Sequence, residues 1–299
     1  MTIEPPAPGE PRRPLGPRDP GDAWVVAPTG ERYWGRFGAA GLLAVDPDRG
    51  VLLQHRVSWS HFGDTWALPG GARHEEESAW DAALREAAEE AGVPASAIRP
   101  RVLSVLDLGY WSYTTVIGDV VEPFEPVISD PESRELAWVP TDAVTRHPLH
   151  PGFAGSWERL KALLPVRPAV VVDAANVMGS VPDGWWRDRE GAAERLLARL
   201  GSLARQGIPA AALELPEHTW YPHWTAVVEG QARGAEATDG IDVVRAEASG
   251  DDALVAAAER LVDAGNRVTV VTSDRGLAQR VQDAGAAVRG ARWLLDLLD

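Results

Sequence analysis

The alternation of apolar and polar residues along the chain predicts an α/β protein. Between residues 23 and 165, short apolar stretches are separated by Gly, Pro and Asp, which is typical of strands joined by turns. We expect strands over residues 39–45, 51–55, 66–70, 102–107, 113–121 and 135–140. Residues 153–164 have the apolar spacing of a helix. This region is therefore predicted to be a mixed sheet between helices.

One helix in this region has especially clear boundaries. Ser78 is a suitable N-cap, and Gly92 followed by Pro94 is a suitable stop, so we predict a helix over residues 79–91. Its apolar positions recur at steps of four, three and four residues, and they are Trp80, Leu84, Ala87 and Ala91. We expect this stripe to pack against the sheet.

Three acidic residues of the same helix lie outside the apolar stripe. Glu86, Glu89 and Glu90, which we call the carboxylate triplet, are three and four residues apart and crowd onto about one helical turn. Like charges at this spacing repel, and Mg²⁺ would offset the repulsion because it prefers oxygen ligands. The alternative interpretation is a solvated acidic face that binds no ligand.

The second half of the chain has a different pattern. Residues 169–172 form a continuous apolar run, which is typical of a central parallel strand. Further strands are predicted over residues 210–215, 225–228, 241–244 and 268–271, alternating with helices over 190–206, from about 250 to 264, and up to 284. This alternation predicts a doubly wound parallel sheet. We expect a disordered Pro-rich tail over 1–22, a first domain over 23–165 and a second domain over 166–299.

Several acidic residues follow the predicted strands of the second half. In doubly wound sheets the site lies beyond the carboxyl ends of the strands, where Asp173, Glu229 and Asp274 fall. Asp251 joins them at the start of a helix. Acids that converge there would form a site for one or two Mg²⁺ ions, which suits phosphodiester cleavage. The alternative is that Asp251 and Asp274 are N-caps and Asp173 orders a loop.

Composition limits the possible functions. The net charge of −15 argues against non-specific binding to a nucleic-acid backbone, so any such site must be local. The absence of cysteine excludes disulfides and zinc–thiolate sites. No apolar run is long enough for a membrane span, and the N-terminus lacks a signal-peptide pattern. We therefore expect a cytoplasmic location and no membrane partner, with the oligomeric state left open.

The segment GARHEEESAWDAALREAAEEAGV, residues 71–93, resembles the Nudix box at every fixed position. This resemblance implies a Nudix α/β/α sandwich and hydrolysis of a phosphoanhydride with Mg²⁺ or Mn²⁺ as the cofactor. It implies that the carboxylate triplet binds the metal together with the backbone carbonyl of Gly71, and that Glu86 activates water. It also implies an ion pair between Arg85 and Glu77.

The strings VVVDAANV, SGDDALVAAA and VTVVTSDRGLA resemble the NYN branch of the PIN-like ribonucleases. This resemblance extends over about residues 169–288 and implies a PIN-like domain. The implied metal ligands are Asp173, Asp251 and Asp274. Asn176 would order the first acid, Glu229 would supply another acid, and Asp252 could exchange roles with Asp251.

Candidate substrate contacts lie in both halves. Upstream of the Nudix box and on the last strand of the first domain, the candidates for nucleotide binding are Arg56, Trp59, Trp66 and Glu135. In loops of the second half, the aromatic residues are Trp185, Trp186, Trp220, Tyr221 and Trp224. Exposed aromatic rings stack on the bases of single-stranded RNA. The alternative for the aromatic residues is ordinary packing, and for Glu135 an exposed strand edge.

Together these patterns predict a Mg²⁺-dependent pyrophosphohydrolase that cleaves a nucleoside diphosphate linked to a further moiety. The second domain is expected to act on RNA or bind it. Two alternatives remain open: the chain is chiefly a metal-dependent ribonuclease, or it is a regulatory module that senses a nucleotide.

Overall fold

The computed structural model of the chain describes residues 1–6, 20–182 and 184–299. It divides into two compact units, Met1–Leu164 and Pro165–Asp299. In this described part of the chain, the structure contains no helix with the length and apolarity that crossing a bilayer requires.

The first unit contains ten strands and two α-helices in its described residues. These elements are β1 (Thr2–Glu4), β2 (Trp24–Val26), β3 (Arg32–Trp34), β4 (Ala39–Asp46), β5 (Gly50–Arg56), β6 (Trp66–Ala67), β7 (Gly70–Ala72), α1 (Ala79–Ala91), β8 (Ile98–Asp107), β9 (Ser112–Val120), β10 (Ser133–Val139) and α2 (Pro151–Leu163). The main sheet has the order β10-β5-β4-β9-β8, and β6 and β7 pair with β5 and β4. Strands β4 and β9 are parallel and the other neighbours antiparallel, so the predicted mixed sheet is confirmed.

The two faces of this sheet have different surroundings. Helix α1 covers one face, where Ala83 and Ala87 pack with Leu42 and Val116 of the sheet. Successive residues of a strand point to opposite faces. The neighbours of Val116 on β9, such as Thr115, therefore point away from α1.

Helix α1 begins and ends where the sequence predicts. The Ser78 hydroxyl accepts a hydrogen bond of 3.1 Å from the backbone N–H of Asp81. Gly92 ends the helix with a φ of 63°, a left-handed conformation that glycine adopts at little cost. These contacts confirm the predicted helix.

The buried face of α1 differs from the predicted stripe. Trp80 and Leu84 are half-buried rather than buried. The fully buried positions are Ala82, Ala83, Glu86, Ala87, Glu90 and Ala91. Small alanine side chains allow the helix to approach the sheet closely, and two members of the carboxylate triplet are enclosed as a result.

The predicted disordered tail is partly wrong. Strand β1 lies within residues 1–22 and pairs with β2 in an antiparallel ladder, from Thr2 opposite Val26 to Glu4 opposite Trp24. Backbone hydrogen bonds to β2 order this stretch, which a reading of composition does not detect. Residues 7–19 of the predicted tail lie outside the described residues.

The second unit contains a five-stranded parallel sheet. Its elements are β11 (Pro168–Asp173), α3 (Ala174–Gly179), α4 (Arg189–Gln206), β12 (Ile208–Pro209), β13 (Thr219–Trp220), β14 (His223–Val228), β15 (Ile241–Arg245), α5 (Gly250–Asp263), β16 (Arg267–Val271), α6 (Arg275–Asp283), β17 (Ala287–Arg289) and α7 (Ala291–Leu298). The sheet order is β15-β14-β11-β16-β17, with all neighbours parallel. The predicted parallel sheet is therefore confirmed, with β11 at its centre.

The strand predicted over residues 210–215 is wrong. Ala210–Leu213 forms a 3₁₀ helix, closed by a 3.0 Å hydrogen bond from the Leu215 N–H to the Ala210 carbonyl. Alanine is a weak strand former, so this apolar run has no strong preference for a strand. A ladder is found instead at the neighbouring β12, where Ile208 pairs with Trp220 of β13.

Candidate active site

An ion pair ties the middle of α1 to the loop before the helix. The Arg85 guanidinium donates hydrogen bonds to both carboxylate oxygens of Glu77, each at 2.8 Å, and one of 3.0 Å to the Ala72 carbonyl. Glu77 also accepts a 2.9 Å hydrogen bond from the His74 N–H. The structure therefore contains the Arg85–Glu77 pair that the family resemblance implies.

The charge of this pair alters the acidity of Glu77. Burial acts to raise the pKa of Glu77, but the hydrogen bonds and charge of Arg85, together with the His74 N–H, outweigh it and lower the pKa. Glu77 is thus held as a carboxylate. The fork geometry of its pair with Arg85 is a strong and directional contact.

Two members of the carboxylate triplet are buried next to this pair. Glu86 is 4% exposed and Glu90 6% exposed, whereas the Glu89 side chain is 41% exposed. Arg85 donates a 2.6 Å hydrogen bond to Glu86, and the Gly70 N–H donates one of 2.8 Å to Glu90. Burial, followed by the negative charge of Glu86, raises the pKa of Glu90 well above its ordinary value. The sequence interpretation of an entirely solvated acidic face is wrong for Glu86 and Glu90.

Gly71 gives the carboxylates room. A Cβ atom at this position would lie 2.7 Å from the carboxyl carbon of Glu86, which is closer than real Cβ contacts permit. The absence of a side chain at Gly71 therefore allows the backbone of β7 to approach Glu86 directly. This contact brings together the end of the glycine turn and the middle of α1.

The residues fit a divalent cation by their chemistry. No group of three or more His, Asp or Glu side chains in residues 1–6, 20–182 and 184–299 already has a metal-holding arrangement. Yet Glu86 and Glu90 are buried carboxylates that repel each other, and Glu89 lines the same cavity. Oxygen donors of this kind suit Mg²⁺ or Mn²⁺. The triplet and the Gly71 carbonyl would hold the ion.

A cavity of about 1100 Å³ opens in front of the triplet. Its volume is at the upper end of small-molecule pockets, for which about 300–1,000 Å³ is typical. Of the predicted nucleotide contacts, Arg56 and Trp59 line the cavity. The sequence also left several lining aromatic residues unassigned, and they include Trp24, Tyr33, Trp34, Phe62, Trp111 and Tyr113.

Two predicted nucleotide contacts lie elsewhere. Trp66 is 6% exposed and stacks on His55 with ring centroids 4.9 Å apart, which is a packing role. Glu135 has a 60% exposed side chain on β10, 4.0 Å from the His55 Nδ1. Neither Trp66 nor Glu135 is among the residues that line the cavity. Residue type alone did not distinguish Trp59 from Trp66, since both precede the glycine turn.

Asp173, the first predicted acid of the second unit, lies at the end of β11. Asp173 accepts a 3.0 Å hydrogen bond from the Thr272 hydroxyl and another of 3.0 Å from the Asn176 N–H. Burial raises the pKa of Asp173, and the charges of Asp251 and Glu229 contribute to the same shift. The charges of Asp251 and Glu229 therefore act on the carboxyl group of Asp173.

The other predicted residues of this group have structural contacts. The Asn176 side-chain oxygen accepts a 2.9 Å hydrogen bond from the Ser273 N–H, which ties α3 to the loop after β16. Asp274 caps α6 through a 2.8 Å bond from the Leu277 N–H. Glu229 accepts a 3.0 Å bond from the Gly250 N–H. Asp252 lies 2.6 Å from the Arg280 guanidinium, so its carboxylate is engaged in an exposed ion pair.

The predicted aromatic group of the second unit is only partly exposed. Trp220 and Trp224 are 0% and 1% exposed, so the prediction that they stack on bases is wrong. Both belong to the core, which is the alternative that the sequence left open. Trp186 is 55% exposed, and the Arg187 guanidinium lies 6.0 Å from its ring.

The first unit combines a mixed sheet, buried helix carboxylates and an aromatic cavity, an arrangement that agrees with a hydrolase of the Nudix type. Residues 35–160 match the family model described as the NUDIX domain. A relative from Mycobacterium tuberculosis, "Putative 8-oxo-dGTP diphosphatase 3", is 49% identical over 154 residues, covering 48% of this chain and 70% of that protein. The chain belongs to the Nudix family, whose hydrolases act on phosphoanhydride bonds.

Two further relatives show similar coverage of this chain. A "Nucleoside triphosphate pyrophosphatase/Nudix hydrolase fusion protein" from Bifidobacterium longum is 40% identical over 156 residues, covering 48% of this chain and 32% of that protein. The crystal structure of a Nudix hydrolase from M. smegmatis, RenU, is 51% identical, with a TM-score of 0.44, and covers 48% of this chain and 94% of that one.

Proposed function

We propose that the first unit is a Mg²⁺- or Mn²⁺-dependent pyrophosphohydrolase that cleaves a nucleoside diphosphate linked to a further moiety. A purine nucleoside triphosphate is the first substrate to test. The name of the M. tuberculosis relative supports an oxidised one, 8-oxo-dGTP, within this class.

The observation that carries this proposal is the burial of Glu86 and Glu90 at the wall of a large aromatic cavity. Burying two carboxylates close together is unfavourable unless a ligand or partner compensates for their charge. A helix that needed only to pack on the sheet would have apolar residues there. The position of these carboxylates beside a cavity therefore supports a role in binding a cation and a phosphorylated substrate.

The residues of the chain have separable roles in this proposal. Arg85 orients Glu86 while it is itself held by Glu77, so the first carboxylate is fixed before substrate binds. Glu86 would accept the proton of the attacking water, as the family resemblance implies. The aromatic rings that line the cavity would hold a nucleobase and limit the access of water. A bound divalent cation would supply neutralisation of charge on the phosphate oxygens and make water more acidic.

The direct test is a substrate panel with the full chain. It would contain 8-oxo-dGTP, dGTP, the other nucleoside triphosphates, dinucleoside polyphosphates, ADP-ribose and NADH, each with Mg²⁺ or Mn²⁺. We expect hydrolysis of at least one nucleotide, detected as pyrophosphate from a triphosphate or as a nucleoside monophosphate from the other substrates, and its loss when EDTA is added. Tight binding of a nucleotide without turnover would favour the sensing module instead.

We also propose that the second unit acts on RNA or binds it, through a PIN-like metal site at the end of β11. The specific support is the raised pKa of Asp173, because the charges of Asp251 and Glu229 contribute to it. Asp173, Asp251 and Asp274 are the proposed ligands, with Asn176 and Glu229 in support. Under this proposal, ribonuclease activity could also be the main function of the chain, which is the alternative given above. Cleavage of labelled single-stranded RNA in Mn²⁺ would test it, and intact RNA would count against it.

A further inference from the structure

Two buried hydroxyl groups lie on the floor of the cavity. Ser104 of β8 and Thr115 of β9 stand opposite each other in the antiparallel ladder, so their side chains point to the same face of the sheet. Both residues line the cavity, although Ser104 is only 1% exposed and Thr115 5%. We call Ser104 and Thr115 the hydroxyl pair.

The hydroxyl of Ser104 has unused hydrogen-bonding capacity. Its Oγ is buried and has no hydrogen-bond partner among the residues that the structure describes. A buried hydroxyl without a partner is unfavourable, because the group has lost water and gained no bond in exchange. The Ser104 hydroxyl can therefore gain a hydrogen bond from a polar ligand that enters the cavity.

Three aromatic rings, one of them on the same strand as Thr115, line the cavity together with the hydroxyl pair. Tyr113 precedes Thr115 by two residues on β9 and shares its face of the sheet. Trp111 lies 6.2 Å from Tyr113 and 4.7 Å from Tyr33, measured between ring centroids. All three rings line the cavity. This wall offers flat apolar surfaces, whereas the hydroxyl pair offers hydrogen bonds.

We propose that the hydroxyl pair is the base-reading subsite of the cavity, in which Ser104 and Thr115 hydrogen-bond the heteroatom edge of a nucleobase that lies against the aromatic wall. This inference rests on the proposed function, since it requires a nucleotide substrate. It assigns base selectivity to the floor of the cavity and the hydrolytic step to α1. A pocket that bonds a polar group of its substrate discriminates strongly against analogues that lack the group.

The test compares Ser104→Ala and Thr115→Val with the matched control Thr114→Val. Thr114 is 4% exposed and adjacent in sequence, but it pairs with Ala40 on the face that α1 covers. Each variant would be assayed for KM and kcat on dGTP, 8-oxo-dGTP, dATP, dCTP and dTTP. Binding would be measured separately, as the rise in melting temperature that each nucleotide causes in EDTA.

The expected result is a change in selectivity rather than in chemistry. Loss of one hydroxyl should raise KM for the preferred base by about five- to tenfold, the effect of one neutral hydrogen bond, with kcat changed less than about twofold. The KM ratio between preferred and poor bases should shrink accordingly. Thr114→Val should keep the wild-type ratio. Ser104→Ala should not lower the melting temperature of the free protein, because it removes no protein hydrogen bond.

Three results would overturn the proposal. One is unchanged base selectivity in both variants, and another is a wild-type protein that binds all five bases equally. The third is a lower melting temperature of ligand-free Ser104→Ala, which would indicate a structural role for the hydroxyl. If the wild-type protein cleaves nucleotides while selectivity ignores the hydroxyl pair, the proposed hydrolase function stands and this inference fails. If it neither binds nor cleaves any nucleotide, both fail.

Discussion

The two units each contain a set of candidate metal-binding carboxylates, but in different environments. In the first unit, Glu86 and Glu90 are less than a tenth exposed and lie on a helix face that otherwise packs on the sheet. In the second unit, Glu229, Asp251 and Asp274 are exposed and Asp173 is half-buried. The same chemical group is thus enclosed in one case and open to solvent in the other.

The two sites differ in whether local structure alone can account for their acidic residues. Asp173, Glu229 and Asp274 each accept a hydrogen bond from a backbone N–H, so local structure alone accounts for an acid at each position. Helix capping cannot explain Glu86, which lies in the middle of α1. Enclosing its charge beside Glu90 is unfavourable for folding. In the proposed function, binding of a cation and substrate compensates for this cost. The stronger functional argument therefore belongs to the first unit.

The Glu89→Gln variant gives the most direct test of the difference between the two units. Its side chain is 41% exposed and lines the cavity, so Glu89→Gln changes the site while leaving the buried pair intact. We expect nucleotide hydrolysis to fall more than about 100-fold, because even residues behind the ligands of a metal site contribute 10- to 100-fold. Titration with Mn²⁺, monitored by electron paramagnetic resonance, should show that the variant binds Mn²⁺ more weakly than the wild-type protein.

The matched control for this change is Glu75→Gln. Glu75 is an exposed glutamate shortly before α1 and does not line the cavity. It should retain full activity and Mn²⁺ binding. Full activity of Glu89→Gln, or metal uptake that does not depend on the triplet, would remove the main support for the hydrolase proposal.

The Asp173→Asn variant tests whether the acids of the second unit form a metal site. If the exposed acids form a metal site, this change should reduce cleavage of labelled RNA by more than about 100-fold, on the same reasoning about metal ligands. Nucleotide hydrolysis should be unchanged, and Glu89→Gln should have the opposite pattern. Equal RNA cleavage by wild-type protein and Asp173→Asn would show that Asp173 only orders the start of α3.

Sequence patterns predicted the elements whose signals are local. The start of α1 follows from the Ser78 side chain, which caps the first turn, and its end follows from Gly92, which adopts a left-handed backbone conformation. Both effects act within one helical turn. The central strand β11 follows from its continuous apolar run. The Nudix box likewise identified the triplet, because it is a short segment with fixed spacing.

Features that depend on contacts between distant residues could not be predicted. The cavity floor pairs Ser104 with Thr115 across two strands, and neither residue belongs to a local motif. Burial of Glu86 depends on the approach of Gly71 from another element, so helical spacing alone placed it on the outer face. Trp220 and Trp224 resembled exposed loop aromatics for the same reason, although the fold encloses both.

A smaller effect concerns the ion pair between Arg85 and Glu77, beside the carboxylate triplet. Replacing Glu77 by Gln removes the charged half of the fork with Arg85, and we expect the free energy of unfolding to fall by about 1–3 kcal/mol at pH 7. The folded-state pKa of Glu77 is lowered from 4.5, so its stabilisation is present above that value. It is lost as the pH falls through the lowered pKa. Urea denaturation of both proteins should therefore give curves that converge in acid, whereas a constant difference would contradict the charge-based explanation.

The smallest expected effect concerns the neighbouring tryptophans Trp185 and Trp186 of the second unit, of which Trp186 is exposed and Trp185 half-buried. Trp185 and Trp186 lie in one 3₁₀ turn with ring centroids 6.4 Å apart, and the Arg189 guanidinium lies 5.3 Å from the Trp185 ring. Stacking on a base contributes about 1–3 kcal/mol per ring, so alanine at both positions should weaken binding of single-stranded RNA by at least about fivefold. The melting temperature should be unchanged, because Trp186 is 55% exposed, Trp185 is only half-buried, and neither residue belongs to the buried core. Fluorescence anisotropy with a labelled oligonucleotide would measure the binding. The variant Trp220→Phe serves as a control at a buried tryptophan. It is expected to lower the melting temperature and leave the RNA affinity unaltered. If the double alanine variant binds RNA as tightly as the wild-type protein, these two rings are not the RNA-binding surface, and the proposal of an RNA substrate for this unit loses that support.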